Sequence, residues 1–324
     1  MSLSTPSFVE NVIPDACRWS AEGYRVALVT LVGIDGSSPR PLGSQMAVRE
    51  DGRYVGLISG GCVEAALVHE TLAALSDGRN RKLRYGKDSP YFDIRLPCGS
   101  GIDVLIDVGI SSAILKAVLQ YQQRREPVML CVDVEAATSV QANPEQYLQL
   151  EPCHDQPDVA THISRDTLNR VYRPTTRVLA FGRGEIFRQL VNLAPAVGFE
   201  VLAVTPDAVD VQDEEKGYIP LSRPDLFDPA WCDPWTAAAL LFHDHEWEGP
   251  ILQHLINSDC FYVGALGSLR SQALRCEWLK ESGANDQQIA RIKGPIGLNI
   301  GGRTPPEIAI SILAEIISRQ SGHL

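Results

Sequence analysis

The chain lacks the features that most directly betray a partner. It has no CxxC pair: its eight cysteines (17, 62, 98, 131, 153, 232, 260 and 276) are scattered over 324 residues. Such scatter gives no spacing signature for a four-cysteine zinc site, and a domain of this size has no need of a disulfide scaffold. No uninterrupted apolar stretch approaches the about 20 residues that span a bilayer. The start, Met1-Ser2-Leu3-Ser4-Thr5-Pro6, shows no basic segment followed by an apolar core, so no secretory signal is visible. Basic excess is missing too. Lys and Arg number 29 against 40 Asp and Glu, a net charge of −11. That balance argues against nucleic acid or an anionic membrane as main partner, although a local basic pocket for a phosphorylated ligand remains compatible with it. These absences describe a cytoplasmic protein with reduced thiols.

What is present suits about two ordinary domains, and 44% hydrophobic residues supply a core for each. The first half, residues 1–136, reads as an α+β domain with a mixed sheet. A helix is expected over about 7–22 and strands over 25–32, 45–48 and 53–58, with an Asp51-Gly52 hairpin signal between the last two. A helix after Cys62, strands near 82–85 and 102–108, a helix over 111–125 and a strand over 127–134 complete it. Residues 137–174, broken by prolines 144, 152, 157 and 174, read as the join, with room for a short hairpin. From 175 to 324 strands and single helices alternate: strands at 177–181, 200–204, 236–242 and 260–263, helices at 185–197, 250–257, 268–282 and 305–318. That alternation predicts a Rossmann-like parallel sheet covered on both faces.

The segment Ser59-Gly60-Gly61-Cys62-Val63-Glu64 lies where a buried strand gives way to a helix. Glycines permit unusual backbone angles and close approach of a ligand. A thiol near a helix N-terminus meets the positive end of the dipole, which favours thiolate. Cys62 is therefore either a reactive sulfur or a small hydrophobe closing a corner.

In the second half, Phe181-Gly182-Arg183-Gly184-Glu185-Ile186-Phe187 follows a strand and opens a helix, the setting of a dinucleotide fingerprint. Gly182 would make the turn and Gly184 would admit a phosphate, but Phe187 stands at the third glycine position. The place of the ribose-binding acid reads Thr205-Pro206-Asp207. NAD(P) binding, and with it an oxidoreductase, is the alternative that this turn supports. His243 and His245, with Asp244 and Glu246, form a candidate metal set, although a polar loop satisfying its own backbone is the preferred reading of the segment. Arg270, on the turn Gly267-Ser268-Leu269-Arg270, is a candidate for a phosphate or a simple helix entry with Ser268 as N-cap.

Taken together, several motifs resemble the XdhC/CoxI family. Ser37-Ser38-Pro39-Arg40-Pro41-Leu42-Gly43, Ser59-Gly60-Gly61-Cys62-Val63-Glu64 and Leu96-Pro97-Cys98-Gly99 look like its three N-terminal signatures. His243-Asp244, Tyr262-Val263-Gly264, Pro295-Ile296-Gly297-Leu298-Asn299-Ile300-Gly301 and Thr304-Pro305-Pro306-Glu307 resemble its C-terminal pattern. The chain departs from the family at Glu185, where a histidine is usual, at Thr205 and at Asn299. The resemblance implies an accessory factor, more a cofactor-binding chaperone than a catalyst. Such a factor binds the molybdenum cofactor, assists its sulfuration and delivers it to a xanthine dehydrogenase-type molybdenum hydroxylase, with a cysteine desulfurase as a second partner. Thiolates suit a soft metal–sulfur group, so Cys62 and Cys98 are expected on one cleft wall at the molybdenum or sulfido end. Arg40 and the amides of Gly60 and Gly61 are candidates for phosphate or pterin oxygens. Glu64 is a candidate for proton acceptance or pterin nitrogens, or a first-turn acid complementing the helix dipole. The apolar C-terminal helix (Ile308, Ile312, Leu313, Ile316, Ile317) would bury against its own domain or in a homodimer.

Overall fold

A computed structural model describes residues 10–90, 99–140, 142–153, 160–207, 217–242 and 245–320. The chain forms two compact units, Met1–Pro174 and Thr175–Leu324.

Unit 1 holds, in chain order, α1 (Ile13–Ala21), β1 (Val26–Asp35), β2 (Gln45–Arg49), β3 (Tyr54–Gly56), α2 (Glu64–Asp77), β4 (Arg81–Gly86) and β5 (Gly101–Asp107). There follow α3 (Ser112–Gln123), β6 (Val128–Asp133), the single turns α4 (Val134–Ala137) and α5 (Pro144–Tyr147), then β7 (Leu148–Pro152), β8 (His162–Ser164) and β9 (Thr167–Tyr172). Five strands form one sheet in the order β3-β2-β1-β5-β4, and four form a second in the order β7-β6-β9-β8. In place of the expected mixed sheet, every pair in both is antiparallel. The tight return around Gly52 forces β2 and β3 antiparallel, because a parallel pair needs a long crossover. Strands β7 to β9 come from residues 148–172, where prolines and polar residues hid a sheet whose outer faces are exposed.

Alternation along β1 sorts the core. Ala27, Val29 and Leu31 join Met46, Val104 and Ile106 under α2 through Val63, Leu67, Ala74 and Leu75. Leu28, Ala47 and Leu105 face the other way, onto α1, α3 and the second sheet's Val128, Leu130 and Leu168. The pattern is the period of two expected of a sheet covered on both sides.

Unit 2 holds β10 (Arg177–Gly182), α6 (Gly184–Leu193), β11 (Glu200–Thr205), β12 (Ile219–Pro220), β13 (Thr236–Leu241), α7 (His245–Leu255), β14 (Tyr262–Ala265), α8 (Leu269–Glu281), α9 (Asp286–Ala290), β15 (Ile292–Lys293) and α10 (Pro305–Gln320). The six strands are all parallel, in the order β12-β11-β10-β13-β14-β15. Helix α7 begins five residues before the sequence expectation; Pro250 lies inside it, with Glu246 and Glu248 complementing the dipole of the first turn. Helix α10 settles into its own unit, with Ile312, Leu313 and Ile316 packed beside Phe187 and Leu190 of α6.

Strand order reverses between β10 and β13, the point at which open α/β sheets bind ligands. Gly182 ends β10 there at φ +155°, and a Cβ on it would stand 2.7 Å from the Leu241 carbonyl oxygen of β13. Gly182→Ala should therefore lower stability by about 2 kcal/mol or more, read as a fall in the urea midpoint. An unchanged midpoint would contradict the close approach.

Candidate functional site

Register sends three connections off the same side of the five-stranded sheet. Asp35, at the end of β1, pairs with Gly101 at the start of β5, and Gly86, at the end of β4, pairs with the same Gly101. Gln45, at the start of β2, lies opposite Thr30, and Gly56, at the end of β3, lies opposite Met46. The connections 36–44, 57–63 and 87–100 thus leave the same edge. Strands β3 and β5 are three neighbours apart in the sheet, about 14 Å across at ordinary strand spacing, and the end of β3 lies about five residues, roughly 17 Å, along the strand direction from the start of β5. Cys98 lies outside the described residues, but its following turn does not: Ser100 is buried, its Oγ accepts from the Ser37 amide at 3.0 Å, and the two hydroxyls are 3.3 Å apart. Sequence reasoning missed this staple between the first and third motifs. Its one signal is a serine within a glycine-rich turn. On the same side Arg84 bonds Asp103 at 3.0 and 3.2 Å and Asp35 at 3.0 Å, joining β4, β5 and β1.

Within the 57–63 loop the organising group is the Glu64 carboxylate, only 2% exposed. Its Oε1 accepts from the amides of Ile58 (3.1 Å), Ser59 (2.8 Å) and Gly60 (3.2 Å), and its Oε2 from Gly61 (2.8 Å) and Val63 (3.1 Å). The Ser59 hydroxyl lies within 3.3 Å of both oxygens and accepts from the Cys62 amide at 3.2 Å. Every amide from Ile58 to Val63 is thereby bonded. Two expectations change as a result. The Gly60 and Gly61 amides are not open to a ligand phosphate, because a carboxylate of the chain already fills their nest. Glu64 is likewise turned onto its own loop rather than toward pterin nitrogens or a proton in transit. Burial pushes its carboxyl upward, but the amides of Ser59, Gly60, Ile58 and its own residue outweigh that and hold it below its ordinary value.

The loop so pinned presents Cys62 to solvent as an exposed free thiol. At Cys17, Cys131 and Cys153 burial pushes the thiols up. Gly60 and Gly61 take φ +124° and +113°, and a Cβ on either would meet nothing within 4 Å. Their outer faces are open beside the sulfur. Arg40, in the 36–44 loop, is partly buried and ion-paired with Glu10.

In unit 2 the carboxyl edge gathers the second set of candidates. Gly184 (φ +80°) faces open space, while Phe187 is buried against Tyr218, their ring centroids 6.0 Å apart. Thr205 is buried, and its hydroxyl accepts from the Asp207 amide at 3.2 Å. Arg183 stands 4.0 Å from Asp207. Arg270 is exposed on the first turn of α8, behind a reciprocal Ser268–Ser271 cap. His243 and the side chain of His245 lie outside the described residues. Among the described residues no group of three or more His, Cys, Asp or Glu could hold a metal. A feature the sequence did not announce is a thiol pair at the other end of the sheet. Cys232 and Cys260 share a hydrogen bond, which pushes Cys260 up and lowers Cys232.

The chain is thus a two-unit protein, an antiparallel unit with an exposed thiol on a glycine loop followed by a Rossmann-type unit. Residues 178–316 match the XdhC Rossmann domain, and residues 19–86 match the XdhC and CoxI family. The chain belongs to the XdhC/CoxI family. It is 37% identical over 298 residues to the molybdenum cofactor insertion chaperone PaoD of Escherichia coli (strain K12), covering 91% of this chain and 84% of that one. It is 27% identical over 318 residues to a probable xanthine dehydrogenase subunit of Bacillus subtilis (strain 168), covering 90% and 92%. A crystal structure described as a xanthine dehydrogenase from Bacillus halodurans shares the fold, with a TM-score of 0.75 at 23% identity over 96% of each chain. Among the described residues no helix is long and apolar enough to cross a membrane.

Glu64→Gln places an amide donor inside a ring of donors, so a loss of about 2 to 3 kcal/mol is expected. The folded pKa of Glu64 lies below its ordinary value of 4.5. Its contribution is therefore present above that value and fades as pH falls through the lower folded one. Denaturant midpoints across that acid range check both points. A variant as stable as the parent, with the same acid profile, would show that the carboxylate does not hold the loop.

Proposed function

We propose that this chain binds the molybdenum cofactor at the loop edge of unit 1 and delivers it to a xanthine dehydrogenase-type molybdenum hydroxylase. The observation that carries the reading is the exposed Cys62 thiol on a loop whose amides are all bonded internally, beside two open glycine faces. A soft thiolate donor suits a molybdenum–dithiolene group better than an oxygen ligand would. The similarity to PaoD, whose name describes insertion of this cofactor, points the same way.

In this reading Cys62 meets the molybdenum or sulfido end, and Cys98 joins it from the connection that Ser100 staples to the 36–44 loop. The glycine faces let the flat pterin approach the backbone. Arg40 serves the oxygen-rich end. Glu64 never touches the cofactor; it fixes where the thiol stands. Sulfuration belongs to the same proposal: these residues would hold the cofactor's molybdenum end accessible, with a cysteine desulfurase as the second partner. The chain then acts as a holder and presenter rather than a catalyst.

Unit 2 supports a second ligand reading through one observation, the open Gly184 at the strand-order reversal. The buried Thr205 and the Arg183–Asp207 contact supply no free acid of the kind that holds a ribose. Gly182, Gly184 and Arg270 are therefore proposed for a phosphate-bearing ligand other than a nicotinamide dinucleotide. Titration with NADH and NADPH should give no saturable heat, and tight binding of either would favour the oxidoreductase alternative.

The main test is purification from a molybdenum-replete host with metal and pterin analysis. Wild-type chain should carry both, and Cys62→Ala and Cys98→Ala should each retain about a tenth or less, the loss of one strong ligand contact. Wild-type occupancy and target activation in both variants would refute the thiol role.

A further inference from the structure

The two thiols at the amino end of the unit 2 sheet are brought together by two separate pieces of backbone. Cys232 closes the single turn Pro229–Trp231, its amide donating to the Pro229 carbonyl oxygen at 3.1 Å. Asp233 then bends the chain into β13. The Thr236 amide donates to its carbonyl oxygen at 3.0 Å, and the Trp235 amide and Thr236 hydroxyl donate to its carboxylate at 2.8 and 2.9 Å. On the neighbouring strand the Phe261 amide donates to the Thr236 carbonyl oxygen at 3.1 Å, one step before the Ala237–Tyr262 pair. Cys260, the residue before Phe261, therefore enters β14 beside that bend. Ser258 completes the cluster. Its hydroxyl donates to the Leu255 carbonyl oxygen of α7 at 2.8 Å, accepts from the Cys260 amide at 3.4 Å, and hydrogen-bonds both sulfurs.

The two sulfurs differ in access. Cys260 is 2% exposed and sits in the core of the unit, whereas Cys232 is half-buried at its margin. The bond from Cys260, joined by Ser258, outweighs burial and holds the Cys232 thiol below its ordinary value; the same bond and burial push Cys260 up. Thiolate is the nucleophilic form. An oxidant thus reaches the more reactive sulfur first, with the second in hydrogen-bond contact behind it. Asp233 and Asp259 are the acids facing Cys232, and their charge favours a small uncharged oxidant over an anionic disulfide.

We propose that Cys232 and Cys260 form a redox modification site, which a hydroperoxide converts into a disulfide within unit 2. The Cys232 thiolate attacks a peroxide oxygen and the O–O bond breaks, giving a sulfenic acid and hydroxide. The Cys260 sulfur then attacks Cys232, the S–O bond breaks, and the hydroxyl group leaves with the Cys260 proton as water. In sum, two thiols and one hydrogen peroxide yield one disulfide and two waters. Sulfurs in hydrogen-bond contact need little backbone movement to bond. The bridge fastens the entry of β13 to the entry of β14, and a dithiol reductant reopens it. Nothing in this step depends on the loop of Cys62 or on a bound cofactor.

The test is hydrogen peroxide treatment of the reduced full chain, followed by alkylation after denaturation and peptide mass analysis. No Lys or Arg lies between Arg223 and Arg270, so trypsin leaves both thiols in one peptide. That peptide should lose both alkylatable thiols and the mass of two hydrogens, while Cys276, half-buried in the same unit, stays alkylatable. Dithiothreitol should restore both thiols. In Cys260→Ser the sulfenic acid should persist at Cys232 and be trapped by dimedone, and in Cys232→Ser the Cys260 thiol should remain reduced. A wild-type peptide that keeps both thiols when Cys276 is already oxidised, a wild-type Cys232 sulfinic acid without a bridge, or oxidation of Cys260 in Cys232→Ser would each overturn the proposal. The first two readings use the unaltered chain and so do not depend on how the variants fold.

Discussion

A single carboxylate, buried at the first turn of α2, organises the part of this protein that faces chemistry. Six residues of loop, two of them glycines with positive φ, would otherwise leave a row of amide donors without partners. Glu64 takes five of those donors and the Ser59 hydroxyl takes the sixth. The cost of burying its charge is met by the number of bonds it accepts, and the net effect is a carboxyl held in its ionised form. The consequence for function is geometric. With the amides satisfied from within, the loop cannot serve as an anion nest and what it offers outward is a sulfur. The positive end of α2 is likewise taken up by Glu64 rather than left for the thiol.

The remaining elements of unit 1 fix where its other connections leave the sheet. An antiparallel sheet returns its strands, so the ends of β1, β3 and β4 and the starts of β2 and β5 share an edge. Motifs separated by tens of residues become neighbours through pairings such as Asp35 with Gly101 and Gln45 with Thr30. The Ser37–Ser100 bonds and the Arg84 ion pairs then tie adjacent connections together. Unit 2 follows a different rule. Its strands are parallel, so all of its ligand-facing turns lie at carboxyl ends, and order reversal beside Gly182 marks the crevice.

Much of this was readable from the sequence, for identifiable reasons. Strong periodicity located α2, α3, α8 and α10, and continuous apolar runs located β10, β11 and β13. Residues 148–172 were readable only as room for a short hairpin, because β8 is exposed throughout, β7 alternates over just Leu148-Gln149-Leu150-Glu151, and prolines interrupt the segment. The exposure of Cys62 could not be decided from a glycine-flanked cysteine, which suits a packed corner as well as a reactive turn. The role of Glu64 was also hidden, since a first-turn acid has the same sequence appearance whether it points to solvent or folds back onto five residues of its own loop.

The claim on which the account depends is that Cys62 stands against bound cofactor. Alkylation of Cys62 can be followed by peptide mass analysis in chain purified with and without molybdenum cofactor. Protection of Cys62 in the loaded protein, with Cys276, a half-buried thiol of unit 2, labelled equally in both, is the predicted result. Equal labelling of Cys62 in the two preparations would contradict it.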